Sequence, residues 1–327
     1  MKHAEYQVQR EDGIALVLVL LVIGALSVII LDLNYTTRVN LHLAENFLDD
    51  TRAYFLARGA VEAAIYWIQK DEEDSPDYDA ICDTGDPACE NAWSLDNPGM
   101  EVGESFVELK IRDEDGKVWV NDTKNLFKNT PITNLPPFLQ LLKEQLNLAD
   151  EVLDSIQDWI DTNQDVFRYG AESDHYQSLD PPYDPRNGPM LDLSELLMVK
   201  GIDNKIYYGK NDDYPLGLND IFTVYSGGKI NVNTAPSEVL SALGQGIDGV
   251  TIAADRGAAP FKTKEEFVKY LGDQFPGASS VPQELWDVKS AFFSAYVTVR
   301  VHKVTKFVHA VLQRKNKNVS IVYWREG

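Results

Sequence analysis

Residues 14–31 read IALVLVLLVIGALSVIIL, eighteen positions without a charge. A bilayer core takes about 17–25 apolar helical residues, so the run is long enough to span one. A helix buried in a soluble core would carry a polar stripe, and none appears before Asp32. The pattern predicts a membrane-spanning helix. Beyond it, Leu33, Leu41, Leu43, Phe47, Tyr54, Phe55, Ala57, Val61, Ala64, Ile65 and Ile68 recur at helical spacing. One continuous helix over 14–70 is therefore expected, about 85 Å long at 1.5 Å per residue. Its first part lies in lipid. Its second part is amphipathic and requires a sheet to cover the apolar stripe.

Strict alternation marks the strands. SFVELKIRD at 105–113 is one, and FSAYVTVRVH, TKFVHAVLQR and VSIVYWR at 293–302, 305–314 and 319–325 are three more. The connections among the last three are short enough for hairpins. A long helix, one strand, a large insertion and three antiparallel strands predict an α+β layer with a domain inserted in its sheet. The expected divisions are a leader at 1–13, the helix at 14–70, the sheet head at 71–116 and 286–327, and an α-helical insertion at 117–285.

The insertion carries an imperfect repeat. GKVWVN at 116–121 is matched by GKINVN at 228–233, each followed by a helix pattern (136–146 and 236–243) and later by a short acidic-apolar helix. Two units are expected, about 117–202 and 228–273. The second resembles SAM-like or helix-hairpin-helix domains, some of which bind DNA through a Gly-rich turn with nearby bases. Here the turn, 243–249, holds Asp248 and no Lys or Arg.

Charge weighs further against nucleic acid. The 327 residues hold 51 Asp and Glu against 30 Lys and Arg, a net charge of -21. Neutralising phosphates needs a basic face. With 44% hydrophobic residues the chain should nonetheless fold. Cys82 and Cys89 lie in an acidic, turn-rich stretch, too far apart for a redox C-x-x-C motif and without the partners a zinc site needs. In an oxidising compartment they would close a small disulfide loop. Lys2 and Arg10 are offset by Glu5, Glu11 and Asp12, so flanking charge orients the helix only weakly. The cysteine pair argues for an oxidising side and leaves the N-terminus in the cytoplasm.

The stretch with the most chemistry follows a helix pattern at 148–160. Counting Asp161 as position 1, oxygen side chains fall at 1, 3, 5 and 12: Asp161, Asn163, Asp165 and Glu172. This is the spacing by which an EF-hand loop wraps calcium, a hard ion that takes 6–8 oxygens. Val166 stands at position 6, where such a loop has Gly, and Gly170 comes later, so the register can shift and bring in Asp174, Asp180 or Asp184. A structural divalent cation, calcium by its oxygen ligands, is the expected cofactor. The five histidines are scattered, and no nucleophile is placed with a base, so an enzyme is not expected.

A short polar lead ending in Gly13 before an apolar helix resembles a type IV pilin-like prepilin. That resemblance implies cleavage between Gly13 and Ile14, and methylation, by a prepilin peptidase. Ile14 replaces the usual Phe or Met, and Leu18 replaces the Glu that pairs with a neighbour's terminal amine during assembly. A subunit without that Glu suits the tip. The run DWIDTNQDVFRYGAESDHYQSLDPPYDPRNGPMLDLSELLMVKGI at 158–202, together with INVNTAP at 230–236, is similar to minor pseudopilin K of type II secretion systems. The similarity implies a pilin fold with a large helical insertion, calcium in the head domain, and a place in the inner membrane with the head in the periplasm. It also implies partnership with minor pseudopilins I and J, with H as a further partner, and with the major pseudopilin. The competing reading is a membrane-anchored helix-hairpin-helix DNA-binding protein of a competence-type system.

Overall fold

The computed structural model describes residues 12–81, 92–94, 99–127, 135–278 and 281–327. Cys82, Cys89 and the leader as far as residue 11 lie outside the described residues, and with them the expected disulfide.

Helix α1 (Asp12–Asp74) is a single 63-residue rod, about 95 Å long. Its two parts face different surroundings. The apolar side chains of 14–31 are exposed throughout, as a lipid-facing helix requires, and the stretch fits single-pass membrane anchoring. Ala53, Ala57, Ala60, Val61, Ala64 and Ile68 are buried at spacings of three and four. They are mostly small, so the helix lies close to the sheet. Leu33, Leu41, Leu43 and Phe47 share the helical periodicity yet remain exposed. The sheet stops at the level of Asp49, where His302 meets it, and covers nothing nearer the membrane.

Strands β1 (Met100–Val102) and β2 (Ser105–Asp113) follow, and the chain then leaves the sheet. The insertion contains β3 (Val118–Trp119), helices α2 (Pro137–Gln145), α3 (Asp150–Ile160), α4 (Ser173–Gln177), α5 (Asn204–Tyr208) and α6 (Leu218–Ile221), then β4 (Phe222–Thr223), β5 (Ile230–Asn231), α7 (Ser237–Ser241), α8 (Gly249–Ala258), α9 (Lys264–Gln274) and β6 (Trp286–Asp287). The chain returns as β7 (Phe292–Val301), β8 (Val304–Lys315) and β9 (Asn318–Glu326). The sheet is antiparallel in the order β1-β2-β7-β8-β9. Val107, Leu109 and Ile111 of β2, alternate residues of β7 and Val308, Ala310 and Leu312 of β8 form its inner face against α1. Trp93 closes one end edge-on to Phe293, ring centres 5.0 Å apart. Strand β1 is a short edge that alternation did not mark.

Because Asp113 pairs with Phe293, the insertion leaves and rejoins the sheet through neighbouring strands. Residues 286–291, expected in the sheet head, pack differently. Trp286 pairs with Ile230 and is buried in the insertion's core, as are Tyr78 and Ala80. The joint is polar. Asp115 accepts Ser226 Oγ and Gly227 N on one oxygen, and Ala291 N and Phe292 N on the other. Buried Arg314 donates to Asp79 and to the Ser290 carbonyl and lies 3.5 Å from Asp71 and 3.4 Å from Glu72. Burial, then the Asp79 charge, pushes Asp71 up to about 9. The last turn of α1, the segment that follows it and strand β8 thus share one buried cation, which also holds the Ser290 carbonyl where the chain returns from the insertion.

The repeat is structural. β3 pairs in parallel with β4, and β5 with β6, two residues each. The final Asn of each copy clamps a distant backbone through both amide atoms. Asn121 donates to Met190 O (3.0 Å) and accepts Met190 N (2.8 Å), and Asn233 does the same with Phe261 O and N (2.9 Å each). Where the copies differ, Trp119 in the first against Asn231 in the second, Asn231 faces the joint and donates to Asp79 O, Asp113 and Ser290.

Candidate metal centre

Helix α3 is apolar on one side, yet it is buried on both. Val152, Ile156 and Trp159 enter the core of the insertion, while Asp154 and Asp158, one turn apart on the polar side, have no exposed surface. The loop after the helix covers them. Asp161, at the helix end, accepts Asn163 N (3.0 Å), and Asn163 accepts Asp165 N (2.6 Å), two tight turns that send the chain back over α3. Phe167 N then donates to both Asp158 oxygens (3.0 and 3.1 Å), and Tyr169 N to Asp154 (3.3 Å). Gly170 passes so near that a Cβ there would lie 2.1 Å from an Asp158 oxygen. Glu172 follows, almost wholly buried, at the start of α4.

Carboxylate oxygens of Asp158, Asp161 and Glu172 come within 4.8 Å of one another. Among the described residues, neither Glu172 oxygen has a hydrogen-bond partner, and Asp154 Oδ1 has none. Burial in the first place, then the neighbouring carboxylates, pushes Asp158 up to about 8 and Glu172 to about 7. Burial also raises Asp161. Such a cluster is neutralised either by protons or by a cation.

Of the residues expected from loop spacing, Asp161 and Glu172 converge. Asn163 is half-buried and turned into the loop. Asp165 is exposed and acts on Glu172 and Asp161 through its charge. Asp174 is exposed on α4, outside the trio, and Asp184 accepts Gln177 Nε2. Position 7 contributes its N–H to Asp158, and its carbonyl accepts Gly170 N. Without Gly at position 6, the loop folds onto the helix rather than around a point in front of it. Asp158 was not among the residues that loop spacing marked, because an amphipathic reading of α3 puts it on the solvent side. The signal for it was Gly170, whose missing side chain lets the loop close over the carboxylate. Leu18 is exposed on α1, and the Gly13–Ile14 bond lies at the start of that helix.

Two family models match the chain, both described as type II secretion system (T2SS), protein K, one over 122–209, which contains the carboxylate cluster, and one over 230–288. Relatives described as type II secretion system protein K share 23% identity in Aeromonas hydrophila, over 97% of each chain, and 26% in Pseudomonas aeruginosa, over 80% of this chain and 77% of the relative. The chain is thus similar to protein K of type II secretion systems, in two separate matched segments and over nearly its whole length. The fold agrees. A chain in the crystal structure of the GspK-GspI-GspJ complex of the enterotoxigenic Escherichia coli type 2 secretion system superposes with a TM-score of 0.68 at 18% identity, covering 87% of this chain and 99% of that one.

Calcium, which the protein K resemblance implies, fits the residues present. The donors are all hard oxygens with no nitrogen or sulfur among the three, the two Glu172 oxygens are buried without donors, and Gly170 leaves space beside Asp158. Asp158, Asp161 and Glu172 are the residues that would hold the ion.

Among the described residues, His309 Nε2 lies 3.0 Å from Ser294 Oγ, which itself donates to Glu114. Here the hydroxyl bridges imidazole and carboxylate, whereas an activated serine needs the imidazole in the middle.

Proposed function

We propose that this chain is the minor pseudopilin at the tip of the type II secretion pseudopilus, where it starts or caps assembly for export of folded proteins across the outer membrane. The observation that carries the reading is where the insertion sits. It meets the head where Asn231 donates to the Asp79 carbonyl and where Ser290 donates its N–H to Asp79 and accepts Arg314 on its carbonyl, beside Asp71 at the end of α1 opposite the apolar stretch. A body of that size above the head leaves no room for another subunit there, and Leu18 lacks the carboxylate that would hold one. Both features suit a terminal position. The exposed apolar face from Ile14 to Leu48 is then the surface on which neighbouring pseudopilin helices bundle.

On this reading a prepilin peptidase cuts after Gly13 and methylates Ile14. The head lies in the periplasm, and Cys82 and Cys89 join. Minor pseudopilins I and J are the immediate partners, as in the complex of the solved relative. Calcium held by Asp158, Asp161 and Glu172 cancels like charge under α3 and so fixes the loop on the insertion.

Two measurements test the assignment. Mass spectrometry of the membrane-extracted protein should give an N-terminus at Ile14, and any other N-terminus sinks the prepilin reading. Co-purification should recover pseudopilins I and J with the wild-type chain. Recovery of neither would remove the tip assignment. For the DNA-binding alternative, the α7–α8 hairpin does form, but its turn presents Asp248, which caps α8 through Val250 N (3.1 Å). A salt-dependent gel shift should show no binding.

A further inference from the structure

The outer face of the sheet does not look onto open solvent along its whole length. Under the insertion it forms the floor of a cleft of about 500 Å³, within the range of about 300–1,000 Å³ usual for ligand sites. Strand register lays one row across this floor. Lys110 of β2 faces Tyr296 of β7, Tyr296 faces His309 of β8, and His309 faces Arg325 of β9. The row therefore has a cation at each end and two rings between. Tyr207 on α5 and Tyr225 after β4 belong to the insertion side, with Tyr225 5.7 Å from Tyr323 on the floor.

Charge in this cleft runs against the rest of the molecule. In a chain of net charge -21, four cations, Lys110, Arg112, Lys117 and Arg325, gather here with three acids, Glu114, Asp192 and Asp220, and Lys117 lies 3.7 Å from Glu114, which leaves Lys110 and Arg325 to mark the ends of the row. The acids among them are engaged within the protein. Glu114 is buried and accepts the hydroxyls of Thr223 and Ser294, Asp192 caps Ser194 N (2.8 Å), and Asp220 accepts Gly217 N (3.2 Å). Lys110 pairs with Glu108 at 2.7 Å, but the lysine is nearly half exposed, and a surface pair of that kind is weak enough to exchange for a ligand.

We propose that this cleft binds an extended acidic peptide segment, with carboxylates at Lys110 and Arg325 and an apolar or aromatic side chain between them over Tyr296 and His309. Three inter-strand steps separate the two cations, roughly 14 Å at about 4.8 Å per strand. An extended peptide rises about 3.3 Å per residue, so acids four residues apart match the span. A neutral sugar would need open aromatic faces to stack on. The rings of Tyr296 and His309 instead lie against each other, 4.5 Å between centres and 6° from parallel, and Tyr323 meets His309 at 62°. Burial holds His309 below its ordinary value, so it sits there as a neutral ring.

The test uses the full chain in detergent micelles and fluorescence anisotropy of a labelled Glu-Ala-Phe-Ala-Glu peptide. Saturable binding is expected, weakened about tenfold or more by exchanging both Glu for Gln and by raising salt. Arg325→Glu and Lys110→Glu should each weaken it about as much. Both side chains stand on the outer face and bury no core, and Arg325→Gln, with circular dichroism unchanged, guards against a misfolded reversal. Equal binding of the Gln peptide, indifference to either charge reversal, or no binding at all would each overturn the proposal. So would tighter binding of a neutral chito-oligosaccharide, which would make the cleft a sugar site.

Discussion

In the head, helix α1 and strands β2, β7 and β8 bury long runs of alternating or helically spaced apolar residues, and the backbone bonds of a five-stranded sheet hold them in register. In the insertion, no helix exceeds eleven residues and no strand exceeds two among the described residues. Its core is larger in number of residues yet is assembled from pieces that cannot stand alone. Polar side chains tie them. Asn121 and Asn233 clamp distant backbone, Asp203 caps α5, and Thr263 caps α9. One region is stabilised by periodicity and the other by individual polar contacts, so damage to one should read out differently from damage to the other.

The largest expected effect comes from the residue they share. Arg314→Ala leaves Asp71 and Asp79 buried without their cation, and breaking a buried pair in this way costs about 3–5 kcal/mol. In calorimetry of the full chain, one cooperative unfolding transition should separate into two. A single transition merely shifted down would mean that the head and insertion are coupled by apolar contact rather than through this cation.

Next in size is removal of the metal, which should divide the two regions more cleanly. Saturation at a hundred times the dissociation constant stabilises a site by about 2.7 kcal/mol. Chelation should therefore lower the melting of the insertion, followed through the near-UV signal of Trp159 and Tyr176, whose rings lie 5.1 Å apart, and leave the head unchanged. Glu172→Gln should abolish the calcium-dependent part of that shift. Melting indifferent to chelator in the wild type would remove the metal centre.

Replacing the two clamps tests whether the repeat is energetic as well as geometric. Asn121→Ala and Asn233→Ala each orphan one N–H and one carbonyl, at about 1–3 kcal/mol apiece. Similar losses, both confined to the insertion in urea melts, are expected. A loss at one position only would mean that one clamp is incidental.

The same contrast governs what could be read from the chain. Alternation placed β2 at its observed ends and β7 to β9 within a residue or so, because a two-sided sheet imposes a period of two. The length of α1 was legible from its spacing, but not where its cover ends. Leu41 and Phe47 carry the same period as Val61 and Ile68, and nothing local says that the sheet stops at Asp49. In the insertion, period was of little use for two-residue strands, and the repeat itself was the signal. Asp161 and Glu172 followed from loop spacing. Asp158 did not, since its burial depends on a loop that folds back through backbone bonds from Phe167 and Tyr169.

The smallest effect belongs wholly to the head, at the point where its cover on α1 ends. His302 sits in the β7–β8 turn at φ +48°, with Nδ1 3.1 Å from both oxygens of Asp49 on α1 and Nε2 3.2 Å from Glu104 beside β2. Arg52 lies 3.9 Å from the same Asp49. Asp49 first, and Glu104 after it, raise the imidazole above its ordinary value of 6.5. The folded chain then holds this proton more tightly than the unfolded one, so the contribution is fully present below pH 6.5 and disappears as pH rises through the raised value. The pair is solvent-exposed and screened by salt, which keeps the effect small. Melting of wild type and His302→Gln across that range should differ at the acidic end and converge at the alkaline end, with the insertion's transition unaffected. A difference that does not change with pH would mean that the turn is held by its backbone alone and that the charge of His302 does not tie it to α1.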